Sequence, residues 1–87
     1  MNEIEILSRI SDVASEHFNI PGLQLRRETV ADDVNGWSSL THIQLLLRIE
    51  ETFGVRFRAS EIGALANVGQ LVDRVSAKLA SREGAQL

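Results

Sequence analysis

The sequence contains no cysteine and no tyrosine, a single proline, and no long hydrophobic run. The absence of cysteine excludes disulfides, thiolate metal sites and a cysteine nucleophile. No apolar segment approaches the roughly 18 residues that a membrane-spanning helix needs, and the acidic residues that follow Met1 are unlike a secretory signal. We therefore expect a soluble, cytoplasmic protein with no membrane span.

Basic charge is also scarce, because nine basic residues stand against twelve acidic ones and give a net charge of -3. A protein that binds duplex nucleic acid presents a basic face to the phosphates. The densest basic pair here is Arg26 and Arg27, which we interpret as part of a solvated loop. The composition thus predicts no nucleic-acid partner.

The length of 87 residues allows one domain with one small core. Apolar residues recur at intervals of three and four, the spacing of one helix face. This pattern predicts four helices: Met1 to Phe18, Ser38 or Ser39 to Phe53, a short helix over Glu61 to Leu65, and a last helix from Asn67. We expect an all-α, small four-helix bundle (three long helices plus one short) as a single domain over residues 1–80, with a frayed tail over residues 81–87.

A long connection, Gly22 to Gly36, separates the first two helices. Connections of this length in a small domain are often functional. Three apolar residues lie in its polar sequence, and we expect Leu23, Leu25 and Val30 to pin it to the bundle.

The second helix has more apolar residues than one face needs. On a helical wheel, one arc of about 100° suits the core and comprises Leu45, Leu46, Ile49 and Phe53. A second arc of about 60° comprises Leu40, Ile43 and Leu47, with Gln44, Glu50 and Glu51 beside it. Either the first helix or the long connection covers this second arc, or it forms an apolar strip with an acidic edge that faces a partner.

Catalytic and metal-binding patterns are missing. His42 lies in the core-facing arc, and we interpret it as a packed, hydrogen-bonded residue; His17 has no evident partner. Two distant histidines without a repeated carboxylate spacing predict no metal site. No pair of nucleophile and base can be assigned, so we expect no enzyme.

The start of the second helix, Gly36-Trp37-Ser38-Ser39-Leu40, carries the most suggestive chemistry. Serine is a preferred N-cap residue. A phosphate ester at this place would also be stabilised, because a helix N-terminus presents free N–H groups and the positive end of the helix dipole.

These residues resemble the acyl carrier protein family. In that family an Asp-Ser-Leu motif opens helix two, and a Glu-Glu-x-Phe-Gly run often closes it. The matching runs here are SLTHIQL from Ser39, IEETFGV from Ile49, and EIGAL from Glu61 followed by NVGQLV from Asn67. The likeness extends over most of the chain and implies a four-helix bundle of acyl-carrier type.

The resemblance implies that Ser39 carries a 4′-phosphopantetheine arm, installed from coenzyme A by a phosphopantetheinyl transferase. The chain would then be a monomeric phosphoprotein that presents acyl thioesters to acyl-transferring or condensing enzymes of fatty-acid, polyketide or related lipid biosynthesis. The partner-binding residues would be Leu40, Ile43, Gln44, Leu47, Glu50 and Glu51. The acyl group would be sheltered by Leu46, Ile49 and Phe53.

The sequence departs from the family pattern at two places. Ser38 stands where the family has an aspartate, and Leu40, which matches the leucine of the motif, selects Ser39 over Ser38 as the modified serine. Thr41 and Gln44 stand where carboxylates are frequent, and Arg48 adds a positive charge. We expect a free-standing carrier; the alternative is an unmodified module of the same fold that binds a protein through the second helix.

Overall fold

Four helices make up the fold in the computed structural model, which describes the backbone of residues 1–85 and the side chains up to residue 81. They are α1 (Glu3–His17), α2 (Ser39–Phe53), α3 (Ala59–Gly63) and α4 (Val68–Ala85), with a 3₁₀ turn at Ala31–Asp33. No strand occurs in this part of the chain. The predicted all-α bundle with a long connection before its second helix is therefore confirmed.

The core lies where α1 contacts both α2 and α4. Each of these three helices contributes one apolar face, and the fully buried side chains of these faces are Ile6, Ile10, Leu45, Leu46, Ile49, Leu71, Val68, Val72 and Val75. The core-facing arc of α2 is thus the predicted one. Burial of a Leu, Ile or Val side chain contributes about 1.5–3 kcal/mol, so this cluster supplies most of the favourable free energy of folding.

The ends of α1 follow from local chemistry. The Asn2 side chain accepts a hydrogen bond from the Glu5 N–H at 2.8 Å and caps the start of the helix. At the other end, Asn19 adopts a left-handed conformation with φ 55°. The Ile20 N–H then donates to the Ser15 carbonyl at 2.9 Å, which satisfies one of the last free carbonyl groups of the helix.

The long connection is fixed by Leu25 and Val34, which are 4% and 6% exposed. The Leu25 N–H also donates to the Ser11 hydroxyl on α1 at 3.0 Å. Leu23 is half-buried, as the prediction requires. The prediction for Val30 is wrong: Val30 is 38% exposed, because it immediately precedes the exposed 3₁₀ turn and Val34 takes the buried place instead.

The connection also caps the start of α4. The Val68 N–H donates to the Thr29 carbonyl at 2.9 Å, and the Gly69 N–H donates to the Arg27 carbonyl at 2.8 Å. These bonds satisfy donors that a helix start leaves free. The Arg27 guanidinium forms a bidentate ion pair with Asp73, which lies on α4 one helical turn after Gly69, at 3.1 and 2.9 Å. The connection is therefore held against α4 as well as α1.

The short helix α3 begins and ends two residues earlier than predicted, at Ala59 and Gly63 instead of Glu61 and Leu65. The reason is that the Glu61 carboxylate accepts a hydrogen bond from the Arg58 N–H at 2.7 Å and so starts the helix after Arg58. The same carboxylate binds two cations of α4, Lys78 at 2.9 Å and Arg74 at 3.1 Å. These contacts lower the pKa of Glu61 to about 2, with the Arg58 N–H as the largest cause and the Lys78 hydrogen bond next.

The last helix continues further than the predicted domain end at residue 80. Its backbone is helical through Ala85, since residues 81–85 include no proline to interrupt the hydrogen-bond ladder. The last two residues of the predicted tail, Gln86 and Leu87, lie outside the described residues. Among the described helices, none combines the length and the apolar character that crossing a bilayer requires.

Candidate functional site

Ser39 is the first residue of α2, and it is exposed. Its hydroxyl forms no hydrogen bond with any other group in the described part of the chain. The helix that follows has 15 residues, so its N-terminus carries the partial positive charge of a full helix dipole. The site therefore presents a free hydroxyl at a position that favours an attached anion.

The neighbouring hydroxyl, on Ser38, is engaged in the helix cap. The Thr41 N–H donates to Ser38 Oγ at 3.3 Å, while the Ser38 N–H donates to Thr41 Oγ1 at 2.7 Å. The Thr41 hydroxyl in turn donates to the Gly36 carbonyl at 2.7 Å. Ser38 thus fixes the start of the helix, and the two adjacent serines have different surroundings: one caps and the other is free.

An open cleft of about 660 Å³ lies beside Ser39. One wall comes from Trp37 and the first turn of α2, and the other comes from α3 and the residues after it. The apolar or aromatic side chains in its lining include Trp37, Ile43, Ile62, Leu65 and Leu71. A group attached to Ser39 would therefore have an apolar surface within reach.

His42 connects the two walls of this cleft. The Trp37 indole N–H donates to His42 Nδ1 at 3.0 Å, and His42 Nε2 lies 2.9 Å from the Ile62 carbonyl oxygen. The Trp37 ring also stacks on Phe18, with centroids 5.2 Å apart. The prediction that His42 is a packed, hydrogen-bonded residue is confirmed.

His17 also has a partner, contrary to the sequence-based interpretation. Its Nε2 lies 3.0 Å from the Thr41 carbonyl oxygen, to which it donates. The two residues are 24 positions apart, so only the packing of α1 against the first turn of α2 brings them together. Among the described residues, no group of three or more His, Asp or Glu side chains could hold a metal ion.

The second apolar arc of α2 is exposed. Leu40 is 65%, Ile43 46% and Leu47 52% exposed. Neither α1 nor the long connection covers them, so the strip remains available to another molecule. It begins at Leu40, next to Ser39, and runs along the outer face of α2.

The polar residues beside the strip differ in their surroundings. Gln44 and Glu51 are exposed, whereas Glu50 is half-buried. The Glu50 carboxylate accepts a hydrogen bond from the Phe57 N–H at 2.7 Å and so holds the segment between α2 and α3. Glu50 thus has a structural contact, while Gln44 and Glu51 face solvent.

The three residues predicted to shelter an acyl group lie in the core. Leu46 and Ile49 have no exposed surface, and Phe53 is 6% exposed. They pack with α1 and α4 in one cluster and are not part of the lining of the cleft beside Ser39. A ligand among them would have to enter a packed interior, whereas the cleft is already open.

The sequence interpretation missed Trp37 as a site residue. A half-buried tryptophan normally finds a partner for its indole N–H, and a histidine five residues later is a suitable acceptor once a helix begins between them. The partner of His42 on α3 could not be found in this way. The Ile62 carbonyl is 20 positions away along the chain, and its contact depends on the packing of α3.

Comparison with known proteins agrees with this fold. No protein-family model matches the chain. The chain is 28% identical over 81 residues to an acyl carrier protein of Guillardia theta, and the aligned region covers 93% of this chain and 100% of that relative. The solution structure of holo acyl carrier protein from Geobacter metallireducens is 33% identical with a TM-score of 0.83, over 91% of each chain. The crystal structure of an acyl carrier protein from Thermotoga maritima is 25% identical with a TM-score of 0.81, over 93% of this chain and 94% of that one. Because the chain shares up to 33% identity and the same fold with acyl carrier proteins over nearly its whole length, it belongs to the acyl carrier protein family.

Proposed function

We propose that the chain carries acyl groups on a 4′-phosphopantetheine arm attached to Ser39 and acts as a carrier, not as a catalyst. The observation that carries the proposal is the exposed, unbonded Ser39 hydroxyl at the first position of α2. When bound, the arm supplies a terminal thiol for a thioester, a group that this chain lacks because it contains no cysteine.

The residues around Ser39 fit such a group. The Ser38 and Thr41 cap leaves the Ser39 side chain free and fixes the backbone that bears it. The dipole of α2 stabilises a phosphate ester at its N-terminus by about 0.3–1 kcal/mol. An apolar cleft opens next to the attachment point and does not require the core to rearrange.

Attachment is a phosphoryl transfer from coenzyme A. The Ser39 oxygen forms a bond to the phosphorus that bears the pantetheine unit, and the bond from that phosphorus to the bridging oxygen breaks. Adenosine 3′,5′-bisphosphate leaves, and the hydroxyl proton passes to a base of the transferase. Within this chain no side chain bonds the Ser39 hydroxyl in the described part, so the base is assigned to the transferase.

The exposed strip Leu40, Ile43 and Leu47 is the proposed contact for partner enzymes. These include the phosphopantetheinyl transferase and the acyl-transferring or condensing enzymes of fatty-acid, polyketide or related lipid biosynthesis. Gln44 and Glu51 form its solvent-facing edge, and Glu50 supports the edge from its bond to Phe57. With Thr41, Gln44 and Arg48 on the same helix, apolar contact carries more of the recognition than charge does.

Leu46, Ile49 and Phe53 remain a proposed acyl shelter. They are fully packed, so an acyl chain that reaches them must displace core contacts. NMR spectra of the protein with and without an attached acyl group test this. Shifts of these three side chains support the proposal, and unchanged spectra oppose it.

Intact mass is the direct test of the main proposal. Incubation with coenzyme A and a broad-specificity phosphopantetheinyl transferase is expected to add one phosphopantetheinyl group. Ser39→Ala should abolish the gain, and the matched control Ser38→Ala should retain it. No gain in the wild-type protein would instead favour the unmodified protein-binding module.

The proposal that the chain is an acyl carrier also includes its domain extent, its oligomeric state and its compartment. The proposed carrier domain of residues 1–80 includes most of α4, which continues to Ala85, and the protein is proposed to be a monomer. A cytoplasmic location suits the proposed thiol, since reducing compartments keep thiols free.

A further inference from the structure

The two hydrogen bonds of His42 determine the tautomer of its imidazole ring. The Trp37 indole nitrogen can only donate, so His42 Nδ1 must accept. The Ile62 carbonyl can only accept, so His42 Nε2 must carry the hydrogen. Both bonds therefore exist together in a single form of the ring, the neutral Nε2–H tautomer.

These bonds span the cleft beside Ser39. Trp37 precedes Ser39 by two residues, His42 lies in the first turn of α2, and Ile62 lies in α3. All three residues line the cleft. His42 thus ties the chain before the attachment point, and α2 itself, to the opposite wall.

The opposite wall depends on such ties. With five residues, α3 is far shorter than the roughly 12–15 residues at which an isolated helix becomes even marginally stable. Its Glu61 carboxylate holds it to α4 on one side, and the Ile62 carbonyl holds it to α2 through His42 on the other. Loss of the second contact would let α3 move away from α2 while it stays tied to α4.

We propose that His42 is a positioning residue that sets the separation of α2 and α3 beside Ser39, and so controls how well a group attached there is shielded from water. The proposal rests on the proposed function only for the identity of the attached group. The separation of the walls is a property of the unmodified protein.

Amide hydrogen exchange in the unmodified protein tests the positioning role without any attached group. His42→Leu removes both bonds and replaces the imidazole with an apolar side chain of similar size. It is expected to raise exchange at the hydrogen-bonded amides of Glu61, Ile62 and Ala64 by about tenfold, the effect of one lost hydrogen bond on a local opening, with little change in α1. His42→Gln, whose amide can both accept from Trp37 and donate to Ile62, should restore most of the protection. His17→Leu is the matched control and should leave α3 unchanged, because His17 is not part of the cleft lining.

Hydrolysis of an attached butyryl thioester tests the shielding. His42→Leu should release butyrate faster than the wild-type protein, and His42→Gln should return the rate toward the wild-type value. If His42→Leu does not fold, Trp37→Phe keeps the aromatic contact with Phe18 but removes the indole donor, and it should shift both measurements in the same direction. Unchanged exchange in α3, or an unchanged rate of hydrolysis, would overturn the proposal. The mass gain at Ser39 separately reports on the proposed function, so the two failures are distinguishable.

Discussion

Ser38 and Thr41 cap α2 reciprocally, with the Ser38 N–H donating to Thr41 Oγ1 at 2.7 Å and the Thr41 N–H donating to Ser38 Oγ at 3.3 Å. Ser38 therefore supplies the cap but not the charge of the aspartate that the family usually has there. We expect Ser38→Asp to keep the cap and to raise the free energy of unfolding by about 0.3–1 kcal/mol through the helix dipole. Urea denaturation at low salt measures the change.

The control for this prediction is Ser38→Ala, which removes the cap acceptor. It should lower the free energy of unfolding by about 1 kcal/mol while Ser39 remains available for modification. An aspartate variant that is no more stable than the wild-type protein would show that the helix dipole does not act at this position.

Gly69 permits the close approach of the long connection to α4. A Cβ atom at this position would lie 3.0 Å from the Arg27 carbonyl oxygen and 3.2 Å from the Arg27 Cβ. We expect Gly69→Ala to push these atoms apart and to weaken the bond from the residue 69 N–H to Arg27. Overpacking costs about 1–3 kcal/mol and the helix gains about 0.5–1 kcal/mol from alanine, so the free energy of unfolding should fall by about 1–2 kcal/mol. Thermal or urea denaturation provides the measurement.

Gly63→Ala is the matched control for that change. Apart from its chain neighbours and the backbone of its own helix, no atom lies within 4 Å of a Cβ built on Gly63. Alanine also favours a helix over glycine by about 0.5–1 kcal/mol. This variant should be as stable as the wild-type protein or slightly more so. Equal losses at both glycines would contradict the close contact with Arg27.

Glu61 should make stability depend on pH at the acidic end. Its pKa is about 2 in the folded protein against an ordinary value of 4.5, so the unfolded chain takes up the proton first as the pH falls. The contribution of Glu61 is therefore complete above about pH 4.5 and is lost as the pH falls through about 2. Urea titrations of the wild-type protein and Glu61→Gln should differ most near pH 7 and converge toward pH 2.

The control for the pH dependence is Glu51→Gln, since Glu51 forms no ion pair in the described part of the chain. Its difference from the wild-type protein should stay small and vary much less with pH. If the difference between wild type and Glu61→Gln were constant from pH 7 to pH 3, the bonds from Arg58, Lys78 and Arg74 would not stabilise the folded state as described.

The apolar strip of α2 should matter more to partner enzymes than its acidic edge. Leu47 is half exposed and makes up one end of the strip. We expect Leu47→Ala to raise the KM of a phosphopantetheinyl transferase for this protein by about fivefold to tenfold, as for an interface residue that contributes more than 1 kcal/mol. Glu51→Gln should change the KM less. Equal or reversed effects would show that charge dominates recognition.

The three long helices were predictable because each has a clear local signal. Apolar spacing identifies α1, α2 and α4, and Gly54 marks the end of α2, where it adopts the left-handed conformation with φ 68°. The local sequence placed Ser38 or Ser39 at the start of α2, and the structure distinguishes them, since Ser38 caps the helix and Ser39 is its first residue. These features depend on neighbours within a few positions of each other in the chain.

The errors arose where capping and packing contacts, some local and some between distant residues, decide the outcome. The start of α3 depends on Glu61, whose carboxylate binds both its own helix cap and α4. Val30 is exposed because Val34, four residues later, occupies the buried position instead. The partners of the two histidines, Thr41 and Ile62, come from other helices. No periodicity in one segment encodes such contacts.

The bonds from Val68 and Gly69 to Thr29 and Arg27 have a kinetic consequence for folding. They join positions about 40 residues apart and enclose α2, α3 and the Ser39 site in one closed loop. Closing a loop of this length costs chain entropy before its contacts form, and such non-local pairing slows folding. The contact of α1 with α4 closes a longer loop still, since residues 18–67 lie between these two helices. We therefore expect the segment that presents Ser39 to become fully ordered only late in folding, when these loops close.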